Sequence, residues 1–140
     1  MTSRIVSVTR TDLQQLRKLL QSEFASALSG GRTHLADLDK ALDCTTVVEP
    51  EEMSPDVVTM NSTVELRDMD SNDAETYTLV YPHEACIAEG KLSILSPLGA
   101  EVFGRRIGQS VTLPLLNRKT QKRVERIYFQ PERAGALNYY

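Results

Sequence analysis

The sequence predicts an α+β protein: a short antiparallel helical hairpin followed by an antiparallel sheet that wraps a short helix. Three observations carry this. Apolar residues recur at three- and four-residue steps up to about residue 42. After Asp56 the period changes to two. No βαβ alternation intervenes to suggest a parallel sheet.

Residues 11–29 form the first predicted helix. Leu13, Leu16, Leu20, Phe24 and then Ala27 or Leu28 share one apolar stripe. Thr11 with Gln14 matches a capping box, which satisfies amide groups otherwise orphaned at a helix start. The run Ser-Gly-Gly-Arg-Thr ends the helix, with Gly30 suited to a left-handed stop. Leu35, Leu38 and Leu42 define a second stripe, on a helix beginning near Thr33. At 1.5 Å per residue the two helices are about 27 and 20 Å long. Residues 1–48 therefore read as an N-terminal short coiled-coil hairpin. Residues 49–56 read as a linker, broken by Pro50 and Pro55 and solvated by Glu49, Glu51 and Glu52. Residues 57–140 read as the sheet domain.

Within that domain, Val64 and Leu66 alternate, as do Tyr77, Leu79 and Tyr81. Leu92 pairs with Ile94, and Val111 with Leu113 and Leu115. The run Lys122–Gln130 is β-branched and aromatic but irregular, which suggests a bulge. Asp68–Asp73 is a polar turn cluster. Ser96 is placed to cap a short helix with Pro97 at its first position. Leu98, Val102 and Phe103 would plug the sheet's concave face. Gly104 ends that helix and Gly108 permits the next turn. Arg105 and Arg106, between the two glycines, fall at the rim.

Composition narrows the function classes. The chain has 140 residues, 41% hydrophobic and 25% charged, with a net charge of -3. That is ordinary for one water-soluble globular domain with an appendage. No apolar run approaches a membrane span of roughly 18 residues, and the N-terminus lacks a signal-like stretch, so a cytoplasmic protein is expected. Cys44, Cys86, His34 and His83 are isolated and form neither a metal set nor a catalytic group. The charge is uneven: residues 1–96 carry 8 basic and 16 acidic side chains, residues 97–140 carry 8 and 3. An acidic front and a basic rear suggest a preferred docking face. No phosphate-binding loop occurs, so kinase chemistry is not indicated. The run Asn117–Arg126 lacks the interleaved aromatics of a nucleic-acid binder, and no direct sequence-specific nucleic-acid binding is expected.

Four segments carry a family resemblance: Val58–Leu66 (VTMNSTVEL), Thr78–Pro82 (TLVYP), Leu92–Val111 (LSILSPLGAEVFGRRIGQSV) and Glu125–Glu132 (ERIYFQPE). Over roughly residues 52–132 the chain resembles the C-terminal domain of the bacterial GreA/GreB transcription factors. The resemblance implies an FKBP-like sheet and RNA polymerase as partner. In that family a long coiled coil reaches through the polymerase secondary channel, and acidic residues at its tip help hold a catalytic Mg²⁺. Here the predicted arm is short. No carboxylate lies between Ser29 and Ala36, while Arg32 brings positive charge that would repel a metal ion. Asp37 and Asp39 lie two apart on a helix and do not converge. The expectation is a monomeric, non-enzymatic regulator that binds polymerase, competes with Gre factors and holds no metal or cofactor. The alternative is a Gre-like cleavage factor. Peptidyl-prolyl isomerase activity is disfavoured because the chain has no Trp and 6% aromatics, too few for the usual apolar pocket. The candidate partner-binding residues are Arg32, Asp37, Asp39, Arg105, Arg106, Arg118, Lys119, Lys122 and Arg123.

Overall fold

The computed structural model describes residues 7–30, 33–114 and 119–134. Strand β1 (Ser7–Thr9) leads into helix α1 (Arg10–Gly30), then α2 (Thr33–Asp43) and strand β2 (Thr46–Val48). The main sheet comprises β3 (Thr63–Asp68), β4 (Ala74–Val80), β5 (Lys91–Ser93), β6 (Ser110–Pro114) and β7 (Lys119–Phe129). Helix α3 (Pro97–Val102) sits between β5 and β6, and α4 (Pro131–Ala134) follows β7.

The helical periodicity is as expected. Leu16 and Leu20 of α1 and Leu35, Leu38 and Leu42 of α2 are all buried, with Leu13 partly so. The side chains of Phe24, Ala27 and Leu28 lie outside the described residues. Two details of α1 differ from expectation. The cap is Thr9 rather than Thr11: the Asp12 amide donates to Thr9 Oγ1 at 3.3 Å. The helix also runs through Gly30, which is still helical. Arg17 near the start of α1 pairs with Asp39 and Asp43 near the end of α2, at 2.8 and 2.6 Å. The first half of α1 therefore lies beside the second half of α2.

The five-stranded sheet has the order β5-β4-β3-β7-β6. Three of its four strand pairs are antiparallel, whereas β4 and β5 run parallel. The parallel pair arises because residues 81–90 cross over through two 3-10 turns instead of a hairpin. A second parallel pair, β1 with β2, was not expected either. The intervening helices return the chain to its starting level, which gives a parallel rather than an antiparallel contact. Within residues 49–56, expected to be a solvated linker, Pro50–Glu52 form a 3-10 turn with a reciprocal Glu49–Glu52 cap; Glu51 and Glu52 are exposed, and Met53 is buried.

β7 is irregular, as its sequence suggests. Its register against β3 slips twice, so that Glu125 and Tyr128 are extra residues with no partner on β3. Each such bulge twists the strand and re-aims a side chain; Tyr128 is 54% exposed.

Helix α3 fills the core as predicted. Ser96 Oγ accepts the Gly99 amide at 3.0 Å, and Pro97 occupies the first turn. Val102 and Phe103 are fully buried. Gly104 and Gly108 have φ of 80° and 95°, values that favour glycine. One apolar cluster is continuous from Leu16, Leu35 and Leu42 through Met60 and Leu79 to Phe103 and Val124.

Candidate partner-docking surface

The basic candidates are placed by α3, the turn after it and β7. Arg105, one residue past the Gly104 stop, folds back onto α3. Its Nη2 lies 3.0 Å from Glu101 Oε2, and its Nε donates to the Glu101 carbonyl. Arg106 reaches the segment before β3, where its Nη1 lies 2.9 Å from Asp56 Oδ1. Its backbone amide donates to Gln109 Oε1. Asp56 is held below the usual carboxylate range, first by the Ser54 hydroxyl and then by Arg106. The two arginines are half-buried at the rim, and each is already paired within the chain.

Lys122 is more enclosed, with its side chain 14% exposed. Its Nζ lies 3.5 Å from both Asp68 and Glu75. The Asp68 carboxylate also accepts the amides of Asp70 and Ser71, and the Ser71 and Asp70 amides hold its pKa low. Arg123 pairs with the bulge residue Glu125, which also receives Arg67 at 3.4 Å. The Arg123 hydrogen bond keeps Glu125 ionised to lower pH than usual. Arg126 extends this charged face toward Glu65 at 3.2 Å. Hence Arg105, Arg106, Lys122, Arg123 and Arg126, the described basic side chains after Ser96, are all ion-paired within the chain, and their field is weaker than a count of arginines suggests. Exposed partly screened pairs of this kind contribute little to stability.

On the helices, Asp39 is turned toward Arg17 while Asp37 is exposed. The two aspartates do not share a site. Among the described residues no group of three His, Cys, Asp or Glu side chains is arranged to hold a metal ion. Arg32, Arg118 and the side chain of Lys119 lie outside the described residues. The remaining candidates therefore occupy three places: Arg105 and Arg106 beside residues 54–58, Lys122 and Arg123 near the far end of the sheet, and Asp37 and Asp39 on α2.

A buried polar network, not expected from the sequence, ties the helices to the sheet. Asp12 is 4% exposed and accepts the Tyr81 hydroxyl at 3.0 Å. Glu132 of α4 is 7% exposed and accepts the Thr59 hydroxyl at 2.8 Å. The Thr59 amide in turn donates to Ser62 Oγ. Gln130 is buried and donates from Nε2 to the carbonyls of Ser54 and Val57, both at 2.8 Å. The only sequence signal for this network was the Thr9-x-x-Asp12 spacing, which competed with the Thr11 pattern two residues later.

Comparison with known proteins places this architecture. Residues 45–129 match the family model described as transcription elongation factor GreA/GreB, C-terminal. The regulator of nucleoside diphosphate kinase of Escherichia coli K12 is 34% identical over 131 residues, 93% of each chain. GreA of Acidiphilium cryptum is 35% identical over 80 residues, which is 57% of this chain and 51% of that one. A solved GreA/GreB-type elongation factor from Nitrosomonas europaea superposes with a TM-score of 0.75 at 32% identity, covering 89% of this chain and 99% of its own.

Proposed function

Because the chain belongs to the GreA/GreB transcription factor family, we propose that it is an RNA polymerase-binding regulator that competes with Gre-type factors at the secondary channel without stimulating transcript cleavage. By likeness to its E. coli relative, it would influence nucleoside diphosphate kinase levels. The observation that carries this proposal is the contrast in coverage. The likeness to the nucleoside diphosphate kinase regulator extends over nearly all of both chains, whereas that to A. cryptum GreA spans about half of each.

In this proposal α1 and α2 are the two sides of a short hairpin arm, with residues 1–48 as the arm, 49–56 as the connection and 57–140 as an FKBP-like docking unit. The 21 residues of α1 measure about 32 Å at helical rise. The sequence between Ser29 and Ala36 offers no carboxylate to a metal ion, and hard cations need such oxygen ligands. The arm would occupy the channel mouth without carrying metal to the reaction centre, so the protein itself is not an enzyme. It would act in the cytoplasm, as a monomer. Arg105 and Arg106 at the rim, with Lys122 and Arg123 on the sheet, would exchange part of their internal pairing for acidic groups on the polymerase. Complementary charge of this kind acts mainly on encounter rate and specificity.

The test is a transcript-cleavage assay on backtracked polymerase with Mg²⁺, run beside a polymerase pull-down. Binding without cleavage is expected. Cleavage stimulation would favour a Gre-like factor, and absence of binding would remove polymerase as partner.

A further inference from the structure

Tyr81 of the sheet domain and Asp12 of α1 meet in the core. Both are buried, and the Tyr81 hydroxyl donates to Asp12 Oδ1 at 3.0 Å. Each end of this bond is firmly mounted. Tyr81 directly follows β4; the Ile94 amide donates to the carbonyl of Val80 before it, and the Glu84 amide to its own carbonyl, both at 2.9 Å. Asp12 lies in the first turn of α1, and its amide donates to Thr9 Oγ1 of β1. β1 pairs with β2, which follows α2, so both helices are rooted in one two-stranded ladder. Arg17 joins α1 to α2 again through Asp39 and Asp43. The two helices are thus fastened to each other, and the phenol holds the pair near its root.

Around this bond the contact between helices and sheet is apolar, with Leu16, Leu35 and Leu38 in one cluster with Met60, Leu79 and Phe103. Apolar burial drives the parts together but is non-directional. A hydrogen bond has a set length and angle, and pulling its buried partners apart leaves both unsatisfied. We propose that the Tyr81–Asp12 hydrogen bond is a positioning contact: it sets the direction in which α1 and α2 leave the sheet domain, and so whether they fit the polymerase channel mouth. The last clause rests on the competition proposed above; the first does not.

Leverage follows from where the bond sits. From Asp12 to Gly30, the end of α1, is about 27 Å at helical rise. A rotation of about 10° at Asp12 therefore carries the far end by about 5 Å, close to one helical turn. Three substitutions separate the hydrogen bond from packing and charge. Tyr81→Phe keeps the ring in the core and removes only the donor. Asp12→Leu removes the acceptor and the charge. Asp12→Asn removes the charge but keeps an oxygen that accepts the same hydroxyl.

The experiment measures the distance between spin labels at Gln21→Cys on α1 and Thr112→Cys on β6, two exposed positions, in the full chain carrying Cys44→Ser/Cys86→Ser. One narrow distance is expected in this parent chain and with Asp12→Asn. With Tyr81→Phe and with Asp12→Leu the distribution is expected to shift or broaden by several Å. Tyr81→Phe should also be captured by polymerase like the parent, yet need several-fold more protein to displace a labelled Gre factor. A broad distribution in the parent overturns the positioning contact. So do parent-like distances in Tyr81→Phe or Asp12→Leu, or an Asp12→Asn chain that behaves like Asp12→Leu; should one variant not fold, the others and the parent decide. Shifted distances with unchanged displacement refute the contact's part in competition. If the parent itself displaces no Gre factor, the proposed competition fails, while the distances still judge the bond.

Discussion

Replacing Gly99 by alanine tests how α3 is seated. A Cβ at this position would lie 2.0 Å from the Ser93 carbonyl oxygen, 2.9 Å from its carbon and 3.0 Å from Ser96 Oγ. The first distance falls more than 1 Å short of any normal carbon–oxygen contact, and the obstacle is backbone, not the end of a flexible side chain. The Ser93 carbonyl cannot easily retreat. It accepts both the Ser96 hydroxyl at 2.7 Å and the Ser96 amide at 3.1 Å. Nor can α3 withdraw, because Ala100, Val102 and Phe103 are buried beneath it. Relief by movement means overpacking strain of about 1–3 kcal/mol, together with loss of the Ser96 cap at about 1 kcal/mol. The expected destabilisation is about 3 kcal/mol, which for a chain of this size lowers Tm by roughly 10 °C. Urea denaturation should show a lower midpoint with an unchanged slope. Ser96→Ala, which removes the cap alone, should cost about 1 kcal/mol. A Gly99→Ala protein no less stable than Ser96→Ala would refute this account of α3.

Gln130→Leu should destabilise the fold by about 1–3 kcal/mol in urea, because the buried Val57 carbonyl loses its side-chain donor and the Ser54 carbonyl keeps only the Val57 amide at 3.3 Å. A change near zero would mean that solvent reaches those carbonyls. Arg105→Glu/Arg106→Glu should weaken polymerase capture several-fold and make the remaining binding less sensitive to salt. Because Arg106 also pairs with Asp56, the variant's urea midpoint must be measured beside its binding. Unchanged capture by a folded variant removes both arginines from the interface.

The parts of this fold legible in the sequence are those governed by neighbours along the chain. Leu16, Leu20, Leu35, Leu38 and Leu42 declare the helices by spacing alone. Ser96-Pro97 and the two glycines after Val102 declare the start and stop of α3, since a cap and a left-handed turn are local requirements. What escaped depends on distant partners. β1 and β2 are three residues each, too short for alternation to register, and they exist only because the helices bring their ends together. The parallel pairing of β5 depends on how residues 81–90 cross over. The choice of Thr9 over Thr11 as cap is settled by tertiary contact, since Asp12 then meets Tyr81 from the far side of the core. The arginines read as free charge for the same reason. Asp56 is 50 positions from Arg106 in the chain, and sheet register alone delivers Asp68 and Glu75 to Lys122. Two of these pairs have local spacings: Glu101–Arg105, four apart across the end of α3, and Arg123–Glu125, two apart along β7.

The most direct measurement is displacement of a fluorescently labelled Gre factor from core RNA polymerase by increasing amounts of this protein. Full displacement to a saturating plateau, with no release of short RNA from backtracked complexes, is the result expected of a non-cleaving competitor. A ternary complex in which both proteins stay bound, or RNA release that rises with this protein's concentration, would contradict it.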